Sequence, residues 1–491
     1  MNIKIFKILI FIVSAGSFYG SVLAEDEPFD LVKTLGLSDS FAIDGALRSR
    51  YEFTDWYSAG KDGIDNRDSF SSIKSQLGVA YKQDGFKLYM QGEYDQVFDL
   101  SQSTDAGISS LYRNFNDGET NPGSVYFRQA YAQFPSIGGS GFTLLGGRFL
   151  YSSGAEVSSE NDTLKWLKKL RISERMIGPF DYTFGRSFDG GRLDYAIKDF
   201  GTLTMTALHP TQGGFKTDGM ETITDISVLT SAITHQYKFD NKNQGEFQFF
   251  YYRYDDDRNV IKTDNRALNI RKEDMNSLAI NNYGAHLIHT SQLGSGTWDG
   301  VLWGVLQEGN WGQDHHAAQA FAVETGYRFD ELYGKPWLRT GLNWGSGDSN
   351  SSDSKHGTFF QMLPTSRIYA MTPFYNMMNM QDFFIQGIWK PFDKVTFRMD
   401  AHLLDAVSAK DSLYAGAGAN SRNGAFGFSG TPTSGESSVG TLIDGSLGFE
   451  LNQHVGLSLY YGYLIPGDVM KNNFSKKDDI SYGFIELNFK I

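Results

Sequence analysis

Apolar and polar side chains alternate along this chain with a period of two, the mark of strands that show one face to an apolar medium and the other to water. Between residues 77 and 94, Leu77, Val79 and Tyr81 share a face and are met beyond Asp84-Gly85 by Leu88 and Met90. Pairing across that two-residue turn sets Lys82 opposite Lys87 and Ala80 opposite Tyr89, so both strands agree on which face is polar. Leu193, Tyr195 and Ile197 face Leu203 and Met205 in the same way, with Gly201 expected to serve the bulged turn. Further hairpins join 447–451 to 455–461 and Trp389 to Val395, Phe397 and Met399, and weaker ones read at 125–149, 231–254, 281–308 and 319–345. In 281–308 the alternation is ambiguous on both strands.

Eight hairpins, a lone strand at 43–53 and a last one at 481–491 predict eighteen strands, the even number of a bacterial single-chain barrel. Turns within hairpins are short. The connections at 54–74, 96–124, 150–189, 346–381 and 405–441 are long and rich in Ser, Asn, Asp and Gly. That one-sidedness predicts a closed antiparallel transmembrane β-barrel with short periplasmic turns, long extracellular loops and both termini in the periplasm. No plug or second domain is required. Aromatic residues near strand ends (Phe249, Phe250, Tyr251, Tyr252, Tyr254, Tyr460, Tyr461, Tyr463, Trp337 and Trp344) suit either the lipid headgroup zone or β-core packing.

Composition sharpens this picture. The 491 residues contain no cysteine, which removes disulfides, thiolate metal sites and cysteine nucleophiles. The net charge of -13 argues against nucleic acid. At the amino end, Lys4 and Lys7 precede the apolar run Ile8 to Val13, and Val22-Leu23-Ala24 supplies small residues for cleavage. Residues 1–24 are therefore expected to be a signal peptide, and 25–491 a single barrel in the outer membrane among lipid and lipopolysaccharide.

On the inward face the parity collects Arg48, Arg50, Lys82, Lys87, Arg128, Arg148, Arg192, Arg328, Arg339 and Arg398, with Glu52, Glu93, Asp194, Glu324, Asp400 and Glu450 among them. Arginine facing lipid costs roughly 2–4 kcal/mol at the midplane, so its recurrence marks the lumenal side. Two readings stay open. The arginines could form an anion-selective path, or they could pair with neighbouring carboxylates in ladders that stiffen the wall.

Several blocks resemble the alginate export family: Arg48-Ser49-Arg50-Tyr51-Glu52, Arg128-Gln129-Ala130-Tyr131, Gly147-Arg148, RSFDGGRL at 186–193, GLNWGSGDSN at 341–350 and TFFQMLPTSRIY at 358–369. The resemblance implies an eighteen-stranded barrel whose arginine-lined lumen passes an anionic uronate polymer, with Arg48, Arg50, Arg128, Arg148 and Arg192 matching the family's inward basic positions. Where the family continues its Gly-Arg strand into a YGDxRL-like stretch, this chain reads Tyr151-Ser152-Ser153-Gly154-Ala155-Glu156. The expected substrate path comprises Arg48, Arg50, Glu52, Arg128, Arg148, Arg192, Asp194, Arg339 and Arg398. Other anions, short oligosaccharides or apolar compounds are alternative solutes, and a general porin is the alternative function.

A barrel hydrolase is the rival class, but no GxSxG occurs. His286 and His289, three apart on a strand, point to opposite faces, so no metal or cofactor is expected. Gln313-Asp314-His315-His316 reads as a solvated turn in the one short outer loop, and Asp255-Asp256-Asp257 as an acidic loop able to bridge lipopolysaccharide through cations. The carboxyl end, with Ile485, Leu487, Phe489 and Ile491 on one face, resembles the terminal strand read by the barrel assembly machinery, Ile491 replacing the usual aromatic residue.

Overall fold

The computed structural model describes residues 31–58, 64–365, 371–372, 374–421, 424–474 and 479–491. The expected signal peptide, 1–24, and residues 366–369 of the TFFQMLPTSRIY block lie outside them. Residues 31–39 belong to a separate small unit and include a short helix, Leu31–Thr34.

From Ser40 onward the described residues form one closed barrel of eighteen antiparallel strands, with a two-residue strand, Lys355–His356, added parallel to one of them and a separate hairpin of Ser412–Gly416 with Phe428–Pro432. In chain order the barrel strands are β1 Phe41–Trp56, β2 Asn66–Gln83, β3 Phe86–Phe98, β4 Gly123–Phe134, β5 Phe142–Phe149, β6 Phe188–Ile197, β7 Gly201–Pro210, β8 Ile226–Lys238 and β9 Asn243–Asp256. The second half comprises β10 Leu278–Leu293, β11 Gly296–Trp311, β12 Asp314–Arg328, β13 Trp337–Gly345, β14 Met380–Phe392, β15 Val395–Ala406, β16 Ser438–Glu450, β17 Val455–Pro466 and β18 Ile480–Lys490. Each strand pairs with its sequence neighbour, and β1 pairs with β18 to close the ring, which leaves no edge among them.

The registers follow the alternation. Lys82 lies opposite Lys87 and Ala80 opposite Tyr89, as the turn arithmetic requires. In β12 side chains alternate strictly, Ala318, Ala320, Ala322 and Glu324 buried inside while Phe321 and Val323 stand exposed outside. One turn differs from expectation. Gly201 is a strand residue paired with Ile197, and Asp199 supplies the left-handed conformation at φ 57°.

The lumen is partly filled by the chain's own connections. The long connection 150–187 folds inward, burying Leu164, Leu167, Ile172, Met176 and Ile177, and Phe359, Phe360, Met362 and Leu363 of the β13–β14 connection join the same apolar cluster. Loops that the chain's polarity marked as extracellular thus carry their own apolar residues into the barrel, and the expectation that no plug is needed is corrected. The plug also explains the ambiguity of 281–308. Ile280, Ile288, Val301, Trp303 and Val305 face inward yet are buried and apolar, because the loop core covers them. For the same reason Phe250, Tyr252, Tyr254, Tyr460 and Trp337 are buried, whereas Phe249, Tyr251 and Tyr461 are exposed on the outer face.

Candidate functional site

The structure places the expected path residues on the inner side with one exception. Arg148, expected in the lumen, pairs in register with Ala130 and Asp189 on the outer face, because its neighbour Phe149 and the facing Phe188 are the inward, buried pair. Each of the expected arginines has found a carboxylate. Arg50 donates from Nε to Glu486 Oε2 at 2.6 Å, and Arg48 lies 3.9 Å from the same carboxylate while donating to the Tyr182 carbonyl. Glu52 is fully buried and accepts hydroxyls from Tyr182 at 2.9 Å and Tyr482 at 2.7 Å. Arg148 grips Asp189 with two bonds of 2.7 Å. Arg192 holds Asp194 at 2.8 Å, Arg339 holds Asp299 at 3.0 Å and reaches Glu324 at 3.3 Å, and Arg398 donates to Asp400 at 2.7 Å. Arg128 is the extra residue of a β-bulge opposite Gln91 and Gly92, which turns its buried guanidinium toward Glu93 at 3.8 Å and Asp181 at 3.9 Å.

The in-folded connection adds charges that strand parity could not show. Its helix Asp162–Leu167, capped by Asn161 accepting from the Leu164 amide at 3.0 Å, runs into a wider turn over Lys168–Ile172. Spacing along that stretch aims Lys168, Arg171 and Arg175 at the wall. Lys168 Nζ sits 2.6 Å from Glu246, itself 3.1 Å from His286 Nε2. Arg171 makes two bonds to Glu324, at 2.7 and 2.9 Å, and Arg175 a third at 2.9 Å, so one carboxylate receives three guanidiniums with Arg339. Arg171 also lies over Phe384 and Arg175 over Trp303.

Beyond the helix, Asp181 lowers its carboxylate onto Lys74 of β2, with Arg128 and Arg48 close by. Burial pushes this carboxyl up, but the attraction of Lys74, Arg128 and Arg48 outweighs it and holds Asp181 well below the usual carboxylate range. The Asp181 side chain is still 40% exposed, so water reaches it where Arg128 is closed off. Arg186 is wholly buried and donates to backbone carbonyls of Thr211, Gly178 and Ala417. Burial lowers its pKa to about 9, Tyr254 opposing and Arg128 adding to the shift.

Lys74, Lys168, Arg171, Arg175, Asp181 and Arg186 were not among the expected residues. Lys74 was legible, since extending the inward even positions of β2 back from Lys82 reaches it. Lys168, Arg171 and Arg175 carried an i, i+3, i+7 helical spacing, which marks a face but not what the face meets.

The histidine expectations divide. His286 points inward and His289 outward, as strand geometry requires. Asp314, His315 and His316 are not a solvated turn. They begin β12, with His316 buried 2.8 Å from His356 and Asp314 in an ion pair with Arg266 at 2.8 Å. Asp256 likewise is buried on Arg258 and Asp255 is held by Arg253 at 2.6 Å, so the loop expected to bridge lipopolysaccharide spends two of its three carboxylates internally.

Against known proteins, the family model described as alginate export matches residues 41–482. No curated protein matches the sequence. Among solved structures, the outer-membrane protein OpdK of Pseudomonas aeruginosa aligns at a TM-score of 0.53 with 9% identity, over 92% of this chain and 99% of its own. OccK9 (OpdG) of the same organism aligns at 0.57 with 11% identity, covering 92% and 98%. OccK2 (OpdF) from that organism, solved in complex with glucuronate, aligns at 0.53 with 10% identity over the same shares.

Proposed function

The chain belongs to the alginate export family and forms an outer-membrane channel of the porin type, and on that premise we propose that the channel passes anionic, carboxylate-bearing solutes, alginate-like polyuronates or oligosaccharides first among them. Asp181 carries this reading. A carboxylate presented from inside the lumen rests on Lys74 beside Arg128 and Arg48 and remains open to water. A solute carboxylate has the same charge and shape. Exchanging the tethered group for a mobile one leaves no buried guanidinium unpaired, which is the costly alternative. Arg48, Arg192 and Arg398, each partly accessible and each paired, offer further stations of the same kind. The solved glucuronate complex of OccK2 supports the choice of probe. Both family and fold neighbours point to transport rather than hydrolysis, and His316, at the rim where a hydrolytic base would stand, is buried in packing. Assembly by the barrel machinery is supported by β18, whose Ile485 and Leu487 face outward.

Planar-bilayer recordings test the path. Uronate oligomers block the wild-type current more strongly than neutral sugars of equal length. Lys74→Met weakens that block by roughly fivefold, the worth of about 1 kcal/mol for one solvated charge pair. Asp181→Asn, which frees the cations, strengthens it and raises anion preference. Equal block by neutral sugars, with reversal potentials indifferent to both changes, identifies a general porin instead.

A further inference from the structure

The inner wall holds a second constellation that the conduction path does not use. Asp400 of β15 lies directly opposite Gln386 of β14 on one side and Asp444 of β16 on the other, and His402 follows two residues along β15 on the same face. One ligand-type atom from each of Asp400, His402 and Asp444 falls within 4.8 Å of the others. All three side chains are at most 3% exposed.

What these groups lack is informative. Asp400 Oδ1, His402 Nε2, Asp444 Oδ1 and Gln386 Oε1 are buried and have no hydrogen-bond partner among the described residues. A buried polar atom without a partner costs on the order of 1–3 kcal/mol, and four gathered on one wall need a reason. The opposite atom of each ionisable member, by contrast, is fixed. Arg398 Nε donates to Asp400 Oδ2 at 2.7 Å, Tyr460 donates its hydroxyl to Asp444 Oδ2 at 2.6 Å, and Asp382 Oδ1 sits 2.8 Å from His402 Nδ1. With Nδ1 donating to Asp382, the imidazole turns the lone pair of Nε2 inward, 4.0 Å from Asp444 Oδ1. Outer partners thus orient three donors and leave their inner atoms free, the arrangement that prepares a metal site.

We propose that Asp400, His402 and Asp444, with Gln386 as a fourth donor, bind one divalent first-row transition-metal ion of the zinc type. Charge supports it. Asp382, Asp400 and Asp444 against Arg398 leave two negative charges, since the nearby Arg171 is held by Glu324, and a divalent ion offsets them. Two carboxylate oxygens, an imidazole nitrogen and an amide oxygen suit a four-coordinate ion with bonds of about 2.0–2.2 Å, whereas calcium asks for six to eight oxygens. Donors around such an ion stand about 3.3 Å apart, so binding draws the carboxylates inward by less than about 1 Å. The ion is internal and joins β15 to β16, with Gln386 bringing in β14. Its role is to fasten the wall rather than to meet the solute. No spacing in the chain announces it, because the donors gather only once three strands align in register.

The test uses the full-length protein refolded into detergent with Zn²⁺, or with a chelator throughout, then desalted and counted by mass spectrometry. Wild type folded with zinc retains about one ion per barrel, and Co²⁺ in its place gives the intense visible bands of a four-coordinate ion. His402→Gln and Asp444→Asn run as folded, heat-modifiable barrels and retain less than about a tenth of that metal. Asp382→Asn, which only positions the imidazole, weakens retention roughly 10- to 100-fold. His289→Gln, on the outer face, retains the wild-type amount. The Co²⁺ spectrum of wild type stands even if a variant misfolds. Folded wild type without bound zinc or cobalt bands, or with zinc unchanged in His402→Gln, overturns the assignment and leaves the unpartnered atoms sharing protons.

Discussion

His356, in the β13–β14 connection, lies flat on Trp311 with ring centroids 3.9 Å apart and planes 3° from parallel, its Nδ1 2.8 Å from that of His316. Burial, with Arg266 nearby, pushes its pKa down to about 3. The packed loop therefore holds a neutral imidazole, while a released loop has one near the ordinary value of about 6.5. Between those values the released form binds the extra proton, so packing is full above about pH 6.5 and weakens as the pH falls toward 3. Hydrogen exchange at 355–360, corrected for its intrinsic rate, should speed up with acidification by at most tenfold per unit, and His356→Gln should flatten the dependence. At this scale the chain was half legible. Parity found Arg48, Arg50, Arg192 and Arg398 on the inner face because a strand permits only two directions. It could not find that Arg50 meets Glu486, 436 residues away, or that His316 meets a histidine brought by another loop. Partners joined by closure leave no trace in local spacing.

At the scale of elements, hairpins and loops part company. A two-residue turn such as Asp84-Gly85 fixes register arithmetically, and the pairing of β2 with β3 followed from it. The connection 150–187 has no such arithmetic. Its polar residues read as solvated, and its few apolar ones become decisive only inside a cylinder. Glu324 is the anchor that tests its docking. Replacing this carboxylate by glutamine leaves Arg171, Arg175 and Arg339 crowded around a neutral amide. Removing one member of a buried ion pair costs about 3–5 kcal/mol, more than most loop docking provides. Glu324→Gln should release the helix Asp162–Leu167 from the wall, seen as a larger single-channel conductance and new protease cleavage within 150–187. Heat-modifiable mobility should persist, since the β-ladders around Glu324 are untouched. A conductance equal to wild type would place the constriction in another loop.

For the whole molecule, the decisive contact is the seam where the first strand meets the last. Ten residue pairs align β1 with β18, from Ala46 opposite Lys490 to Asp55 opposite Ser481, and the Ile491 amide adds a bond to the Gly45 carbonyl at 3.0 Å. Closure across nearly the full chain must await everything between, because the entropy of so large a loop is lost before the seam contributes anything. The charges at the seam then face each other in a water-poor lumen. Arg50 and Glu486 bridge the two strands, and Glu52 accepts the Tyr482 hydroxyl across the same line. Glu486→Gln strands Arg50 beside a single remaining carboxylate, Glu52 at 3.9 Å, and should cost about 3–5 kcal/mol in urea unfolding from detergent. Asp55→Asn is the matched comparison. It removes an ion pair of the same strand, 3.0 Å from Arg67, whose side chain is 68% exposed, and should cost no more than about 1 kcal/mol. Equal losses for the two would mean that water reaches the seam freely, and the ion pairs along the lumen would then be as weakly coupled to closure as those on the rim.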